Sequence, residues 1–321
     1  MRYRWGIIGA GGIAKEMAAA LHAVNGEVYA IASRTRSKAD ALAAAFGIEK
    51  VYSDPAALLQ DDKLDIVYLA TPHNTHAEYL KAAVAAGRHV LCEKAVTVNT
   101  RQLEEVLRLA QERRVLVSEA MTLYHMPLYH ELRRRQEAGV IGPVKMIQVS
   151  FGSLKDYDAA NRFFDPALAG GALLDIGVYA LSFARWFLSE QPDQVLTTAQ
   201  LCATGVDEQS GIILKNGAGQ IAVISLSLRA KQPKQGVISG EWGYAAVQDY
   251  PRAQTAVIWT PDGGEETLCC GDTAAALSYE VRDMQAALDR GRYGLDVPFT
   301  LDVMRLMDQI RASWGLAYPF E

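Results

Sequence analysis

The sequence predicts an α/β protein with two domains, a doubly wound parallel sheet followed by an α+β domain with an open-faced, mostly antiparallel sheet. In the first 120 residues short, continuously apolar runs alternate with helical patterns, as in a parallel sheet covered on both faces. Hairpins with period-two alternation follow, which favour an antiparallel sheet. The length of 321 residues suits two domains, which we place at residues 1–120 and 121–321.

The first domain reads as strand and helix in turn. Gly47 and Gly87 end two of its helical patterns. The predicted strands cover residues 4–8, 28–32, 66–70, 89–92 and 115–118, and the predicted helices cover residues 13–23, 37–46, 75–86 and 100–113. Doubly wound sheets bind their ligands at the carboxyl ends of the strands, so the residues that follow each strand are the candidates for a binding site.

The second domain combines helices with hairpins. Turn signals at residues 216–219 (Asn-Gly-Ala-Gly) and 261–264 (Pro-Asp-Gly-Gly) each lie between two predicted strands. The remaining elements are a helix at residues 128–138, an alternating strand at 144–151, and helices at 274–290 and 301–313. Alternation in residues 221–228 suggests that the open sheet face is partly apolar, which predicts a homodimer or homotetramer formed through this sheet.

Composition excludes several partners. The 32 Lys+Arg against 37 Asp+Glu give a net charge of −5, without the broad basic field that nucleic acids or anionic membranes require. The apolar stretch at residues 172–188 contains Asp175 and Arg185, so we expect no membrane span. Four cysteines without a zinc spacing favour reduced thiols and a cytoplasmic protein.

Residues 9–14 (Gly-Ala-Gly-Gly-Ile-Ala) have the form G-x-G-x-x-A between a predicted strand and a helix. The first glycine permits a tight turn, the second lets the backbone approach a pyrophosphate, and the final alanine lets the helix lie close to the strand. An ordinary glycine-rich turn is the alternative, but the position on the first strand of a βαβ unit favours a Rossmann dinucleotide site. The predicted contacts are Gly9, Gly11, Gly12 and Ile13.

The end of the second strand predicts which dinucleotide binds. NAD sites usually carry an acidic residue about 20 residues after the glycines. Here residues 33–36 read Ser-Arg-Thr-Arg, and a hydroxyl with a guanidinium would bind a ribose 2′-phosphate. The alternative is a solvated basic turn that caps the next helix. The sequence therefore predicts NADP rather than NAD, bound by Ser33, Arg34 and Lys38.

Three later motifs complete a family resemblance. Residues 71–76 (Thr-Pro-His-Asn-Thr-His) follow a strand, and residues 89–94 (His-Val-Leu-Cys-Glu-Lys) form a strand that ends in a charged pair. Residues 170–179 read Gly-Gly-Ala-Leu-Leu-Asp-Ile-Gly-Val-Tyr. With the glycine turn, these motifs resemble the Gfo/Idh/MocA family of NAD(P)-dependent oxidoreductases. The resemblance implies an N-terminal Rossmann domain and a C-terminal open-faced sheet.

The resemblance is strongest to one branch of that family. Tyr179 stands where many members have His, and together with Ser33 and Arg34 it is similar to the glucose–fructose oxidoreductase and dimeric dihydrodiol dehydrogenase branch, which uses NADP. Residues 118–121 (Ser-Glu-Ala-Met) also resemble that branch. Ala95 departs from the family's usual proline and removes a φ constraint from the loop after Lys94.

The predicted catalytic residues are Lys94, Asp175 and Tyr179. Lys94 ends a strand, where its ammonium can polarise a carbonyl or hold a hydroxyl, although a surface lysine paired with Glu93 is the alternative. Asp175 and Tyr179 lie four residues apart and share a helix face, which is otherwise simply the exposed side of that helix. A nearby cation would lower the tyrosine pKa from about 10 toward the range useful for proton transfer.

The remaining site predictions concern two loops. Arg162 and Asn161 precede Gly170 and either complete the substrate pocket or form a plain surface loop. The two histidines at 73 and 76 lack the cysteine or carboxylate partners of a metal site, so we expect no metal and place residues 71–76 under the nicotinamide. The predicted cofactor contacts in this region are Thr71, Pro72, His73, His76, Glu93 and Lys94.

These residues predict an NADP-dependent oxidoreductase that transfers hydride between C4 of the nicotinamide and a hydroxyl- or carbonyl-bearing carbon. A carboxylate, an ammonium and a phenol suit a small polyhydroxylated substrate, such as a sugar, a sugar derivative or a cyclic diol. One alternative is a catalytically inactive regulatory protein that senses NAD(P). Another is an NAD-assisted glycoside hydrolase, which the missing acidic residue after the second strand disfavours.

Overall fold

The computed structural model describes residues 3–295 and 298–321. Contacts divide the chain into two compact units, of which the first comprises the described residues up to Met121 together with those of Ala274–Pro298. The second comprises Thr122–Thr273 and Phe299–Glu321.

The described residues form the following helices and strands. The helices are α1 (Gly12–Ala23), α2 (Arg36–Phe46), α3 (Pro55–Leu59), α4 (His73–Ala85), α5 (Thr100–Arg113), α6 (Pro127–Glu137), α7 (Val178–Phe187), α8 (Ala276–Asp289) and α9 (Phe299–Trp314). The strands are β1 (Arg4–Ile8), β2 (Glu27–Ala32), β3 (Lys50–Tyr52), β4 (Ile66–Leu69), β5 (His89–Glu93), β6 (Leu116–Ala120), β7 (Val144–Gly152), β8 (Gln194–Leu201), β9 (Asp207–Lys215), β10 (Ile221–Ser227), β11 (Gln235–Gly240), β12 (Tyr244–Gln248), β13 (Thr255–Trp259), β14 (Glu265–Cys269) and β15 (Gly294–Leu295).

The first unit contains a seven-stranded parallel sheet in the order β15-β6-β5-β4-β1-β2-β3. Strands β4 and β6 are buried along their whole length, as expected for a sheet covered on both faces. The order reverses at β1, whose neighbours are β2 and β4, so a ligand-binding crevice is expected at the carboxyl ends of these strands. The predicted parallel α/β sheet is confirmed.

The segment from Ala274 to Pro298 belongs to the first unit, whereas the sequence pattern places it in the second domain. Helix α8 packs against α1, where Ser278 Oγ donates to the carbonyl of Ala20 at 3.4 Å. Strand β15 then pairs in parallel with β6. The apolar face of α8 is complementary to α1, and a pairing over so long a sequence separation leaves no local signal.

The second unit contains an eight-stranded sheet in the order β14-β13-β12-β11-β7-β10-β9-β8. Neighbouring strands are antiparallel except for β7 and β10, which confirms the predicted mostly antiparallel sheet. Both predicted hairpins, β9–β10 and β13–β14, are present. One sheet face is buried through Ile212, Leu214 and Ile224, while the opposite face exposes Leu196 and Ile213.

Helix α7 is central to the second unit. Residues 166–187 have the length and the mean hydropathy (1.6) of a membrane span, but most of this stretch is buried inside the protein. Phe183 and Phe187 of this helix pack on Tyr129, with ring centroids 6.1 and 6.5 Å from it. The apolar run therefore supplies the core of this unit.

Candidate active site

The glycine turn after β1 leaves room for a ligand. Gly9 has a φ of 109°, and a Cβ on it would lie 2.4 Å from the carbonyl oxygen of Ala70, so only glycine fits there. A Cβ on Gly11 or Gly12 would meet no atom within 4 Å. Helix α1 lies wholly within the described residues, and no side chain caps its N-terminus. Its first amides and the positive end of its dipole therefore suit a pyrophosphate.

The turn after β2 carries two arginines, of which one is paired with another side chain and one is not. Arg36 Nε donates to Asp40 Oδ1 at 2.8 Å, an i,i+4 ion pair on α2. Arg34 is exposed, and its guanidinium makes neither a hydrogen bond nor an ion pair with any described residue. Ser33 Oγ accepts from the amide of Thr35 at 3.2 Å and shapes the turn. Arg34, rather than Arg36, is thus available for a 2′-phosphate.

The two histidines of α4 connect the loop after β4 to the loop after β5. The ring of His76 is fully buried, with Nδ1 2.9 Å from the carbonyl of Ala95 and Nε2 2.8 Å from the carbonyl of Thr71. His73 Nε2 lies 3.1 Å from the carbonyl of Lys94. Burial lowers the pKa of His76, while its bonds to carbonyls act in the opposite sense. The sequence predicts both histidines as cofactor contacts. The structure places the His76 ring in the interior, where its two nitrogens bond to backbone carbonyls.

Lys94 follows β5 and is half-buried. The preceding Glu93 is buried, and its carboxylate accepts a hydrogen bond from the hydroxyl of Tyr68 on β4. Its neighbour Ala95 is fully buried, with its carbonyl bonded to His76 as described above. Hydrogen bonds thus fix the backbone around Lys94 even though alanine replaces the family's proline.

The Asp–Tyr motif lies on a helix that begins with a wide π turn, Leu173–Gly177, in which the amide of Val178 donates to the carbonyl of Leu173. The sequence predicts an ordinary helix here, and π turns are frequent at functional sites. From Gly171 to Leu188 every residue is buried except Asp175 and Tyr179. The two predicted catalytic residues are thus the only residues of this core helix that are appreciably accessible to solvent or to a ligand.

Arg162 joins this pair. Its Nη2 lies 3.5 Å from Asp175 Oδ1, and its guanidinium carbon lies 4.0 Å from the centroid of the Phe163 ring. The contact with Asp175 favours the pocket over a plain surface loop. Asn161 Oδ1 instead accepts from the amide of Phe163 at 3.2 Å and shapes the loop. The ring of Tyr179 packs on Phe151 with centroids 6.0 Å apart.

Two residues beneath this helix, Asp207 and Tyr318, escape the sequence prediction. Asp207 Oδ2 accepts from the amide of Leu173 at 2.7 Å, and the hydroxyl of Tyr318 donates to the carbonyl of Gly170 at 2.8 Å. Neither belongs to a local motif, and the residues they contact are far away in sequence.

Throughout residues 3–295 and 298–321, no group of three or more His, Cys, Asp or Glu side chains could hold a metal ion.

The glycine turn of the first unit and, separately, the partly exposed Asp175 and Tyr179 of the second are each features of a nicotinamide-dependent oxidoreductase. Residues 3–121 match the family model described as "Oxidoreductase family, NAD-binding Rossmann fold", and residues 129–246 match the "GFO/IDH/MocA C-terminal domain". The chain belongs to the Gfo/Idh/MocA family, which confirms the resemblance of its motifs.

Its relatives include named dehydrogenases and reductases. The trans-1,2-dihydrobenzene-1,2-diol dehydrogenase of Xenopus tropicalis is 30% identical over 334 residues, which cover 99% of this chain and 100% of the relative. The Mus musculus enzyme of the same name is 31% identical over 265 residues, or 81% of this chain and 77% of the relative.

Solved structures share the whole architecture. A 3-ketoreductase from Actinomadura kijaniata, in complex with NADP and TDP-benzene, superposes with a TM-score of 0.86 at 28% identity and covers 97% of this chain and 98% of its own. A levoglucosan dehydrogenase in complex with NADH and levoglucosan has a TM-score of 0.88 at 20% identity, over 98% and 97% of the two chains, which extends the likeness of fold.

Proposed function

We propose that this protein is an NADP-dependent oxidoreductase that transfers hydride to or from a hydroxyl- or carbonyl-bearing carbon of a sugar, a sugar derivative or a cyclic diol. The observation that carries the proposal is that Asp175 and Tyr179 alone are partly exposed on an otherwise buried helix, with Arg162 beside Asp175. Two adjacent hydroxyls offer the mixed donors and acceptors that this set requires. Relatives named for a cyclic diol and for a 3-keto group support the same substrate class.

The proposed mechanism assigns one task to each side chain. NADP(H), when bound, supplies or accepts the hydride at C4 of its nicotinamide. The Lys94 ammonium binds the reacting oxygen and stabilises the negative charge that develops there. The Tyr179 hydroxyl gives or takes the proton of that oxygen. Asp175 accepts a hydrogen bond from the neighbouring hydroxyl, and Arg162 holds the Asp175 carboxylate in place.

A Tyr179→Phe variant is expected to lower kcat by about 10²- to 10³-fold, because it removes the proton donor but keeps the ring against Phe151. The test incubates the purified protein with NADPH or NADP⁺ and a panel of sugars, sugar derivatives and cyclic trans-diols, and follows the absorbance of the reduced nicotinamide. The matched control is Tyr157→Phe, an exposed tyrosine of the same unit.

The same assay separates the alternative functions. Net oxidation or reduction of the cofactor supports the proposal. A glycoside hydrolase would release product without a net change in absorbance, and a regulatory protein would bind the cofactor and turn over no substrate. Either result, or an unchanged kcat in Tyr179→Phe, would contradict the proposed mechanism.

We also propose that a second copy of the chain covers the open face of the second unit's sheet, as a homodimer or within a homotetramer. Three apolar residues lie side by side in register on β8, β9 and β10. They are Leu196, Ile213 and Val223, which are 70%, 42% and 37% exposed. Tyr244 and Trp259 stack on neighbouring strands with ring centroids 4.4 Å apart. Exposed apolar side chains of this kind on an open sheet face are typical of a subunit interface.

An Ile213→Glu variant is expected to shift the oligomer to monomers, because it introduces a charge at the centre of this apolar row. Size-exclusion chromatography with light scattering measures the change. Leu154→Glu, at an exposed apolar residue outside the sheet, is the control and should leave the oligomer intact. A monomeric wild-type protein at micromolar concentration would rule out this interface.

The four cysteines are free thiols, and we propose a cytoplasmic location for the protein.

A further inference from the structure

We propose that Asp207 and Tyr318 are positioning residues, which hold the Gly170–Gly171 turn and thereby set the geometry of Asp175 and Tyr179. This inference rests on the proposed roles of Asp175 and Tyr179 in the reaction. Neither positioning residue needs to touch substrate or cofactor, because both act on the backbone from which the catalytic helix starts.

Tyr318 holds one side of the turn by a hydrogen bond. Its buried hydroxyl donates to the carbonyl of Gly170 at 2.8 Å. The ring is fixed in turn by Arg311 of α9, whose guanidinium carbon lies 4.9 Å from the ring centroid. Arg311 makes a bidentate pair with the carboxylate of Glu321 at 2.7 and 2.8 Å, and the amide of Tyr318 donates to that same carboxylate at 2.8 Å. The Tyr318 hydroxyl that donates to Gly170 is therefore held in position by the ion pair between Arg311 and Glu321.

Asp207 holds the other side of the turn. It is fully buried at the start of β9, and its Oδ2 accepts from the amide of Leu173 in the first turn of the helix. Its Oδ1 has no hydrogen-bond partner in the described part of the chain and lies 2.2 Å from the place that a Cβ on Gly171 would occupy. Gly171 also has a φ of 119°. Glycine is thus required here on two counts, and the carboxylate leaves the turn no room to shift toward β9.

The Gly170–Gly171 turn connects the segment that carries Arg162 to the helix that carries Asp175 and Tyr179. The amide of Gly171 donates to the carbonyl of Phe163 at 2.9 Å, next to Arg162. The carbonyl of Gly171 accepts from the amide of Asp175 at 3.3 Å. A displacement of the turn would therefore move Arg162 and Asp175 together, and Tyr179 lies one helical turn further on. This linkage is why contacts beneath the helix should affect the chemistry and not only the stability.

The test compares two tyrosines that make the same kind of bond. Tyr318→Phe removes the donor to Gly170, and Tyr129→Phe removes a fully buried hydroxyl that donates to the carbonyl of Tyr250. Both variants should lower the melting temperature by similar amounts, because each loses one buried hydrogen bond. We expect Tyr318→Phe alone to lower kcat, by about three- to tenfold with an unchanged KM for NADPH. An unchanged kcat, or an equal loss in both variants, would overturn the proposal.

Asp207→Asn tests the second residue, since it keeps the shape and one acceptor oxygen but removes the charge. Burial raises the pKa of Asp207 to about 7, and the groups that face it are Arg311, itself paired with Glu321, and the Tyr318 hydroxyl. The ionised carboxylate binds the Leu173 amide more strongly, so wild-type kcat should rise by about two- to threefold as the pH increases through 7. The rise should vanish in Asp207→Asn, and its persistence there would contradict the role of Asp207.

A readout without turnover separates this inference from the proposed function. NMR of isotope-labelled tyrosine rings, with the Tyr179 signal assigned through Tyr179→Phe, follows the ionisation of that one phenol. Tyr318→Phe should shift this titration, and Tyr129→Phe should not. If the wild-type protein transfers no hydride to any substrate, the proposed function fails, yet the titration still decides whether Tyr318 positions Tyr179. An identical titration in all three proteins would overturn the positioning role.

Discussion

Replacing Lys94 with alanine is expected to lower kcat by about 10³-fold while the affinity for NADPH stays within a few fold of wild type. The variant removes the cation assigned to the reacting oxygen. It leaves the backbone in place, because the Lys94 carbonyl keeps its contact with His73 and the Ala95 carbonyl keeps its contact with His76. NADPH should still bind because Gly9, Gly11 and Arg34 are untouched. Stopped-flow measurement of hydride transfer, with NADPH fluorescence for binding, tests both statements.

Two companion variants sharpen this result. Lys81→Ala removes a lysine of α4 that pairs with Glu105 at the surface, and it should leave kcat unchanged. Lys94→Arg restores the charge with a different donor geometry, so it should recover only part of the lost rate. A Lys94→Ala protein that keeps more than a tenth of wild-type kcat would show that the reacting oxygen is stabilised by another group.

Local sequence patterns were enough to predict the two kinds of sheet and the glycine turn. A run such as β4 is apolar at every position because both of its faces are buried, and the residues after it share an edge with those after β1. The hairpin β9–β10 carries its turn signal at Asn216–Gly219, between strands that pair directly. Period and turn chemistry are short-range properties, so they can be read from the chain itself.

Features that depend on distant partners could not be predicted in this way. The return of α8 to the first unit depends on its fit to α1, and the interior position of His76 depends on two carbonyls from other loops. Asp207 has nothing around it in sequence to mark it, although its carboxylate occupies the space that Gly171 leaves free. The paired glycines at 170 and 171 were the one visible sign that something packs closely there.

Arg34→Asp is expected to reverse the cofactor preference, with a loss in kcat/KM for NADPH of about 10²- to 10³-fold and a smaller gain for NADH. The variant removes the guanidinium that we expect to bind the 2′-phosphate, and the new carboxylate repels a 2′-phosphate but can accept from a ribose 2′-hydroxyl. The fold should be unaffected, because Arg34 is exposed and bonds to none of the residues that the structure describes.

The neighbouring arginine provides the control for this second variant. Arg36→Ala breaks the exposed ion pair with Asp40 and should change kcat/KM for NADPH by less than about threefold, because that guanidinium is already engaged on α2. The ratio of kcat/KM for NADPH to that for NADH is the quantity to compare across wild type and both variants. A clear fall in this ratio for Arg36→Ala as well, smaller because that variant removes one charge whereas Arg34→Asp reverses one, would mean that the turn attracts the phosphate through its overall charge. A fall confined to Arg34→Asp would instead locate the discrimination in one guanidinium, the one that has no partner among residues 3–295 and 298–321.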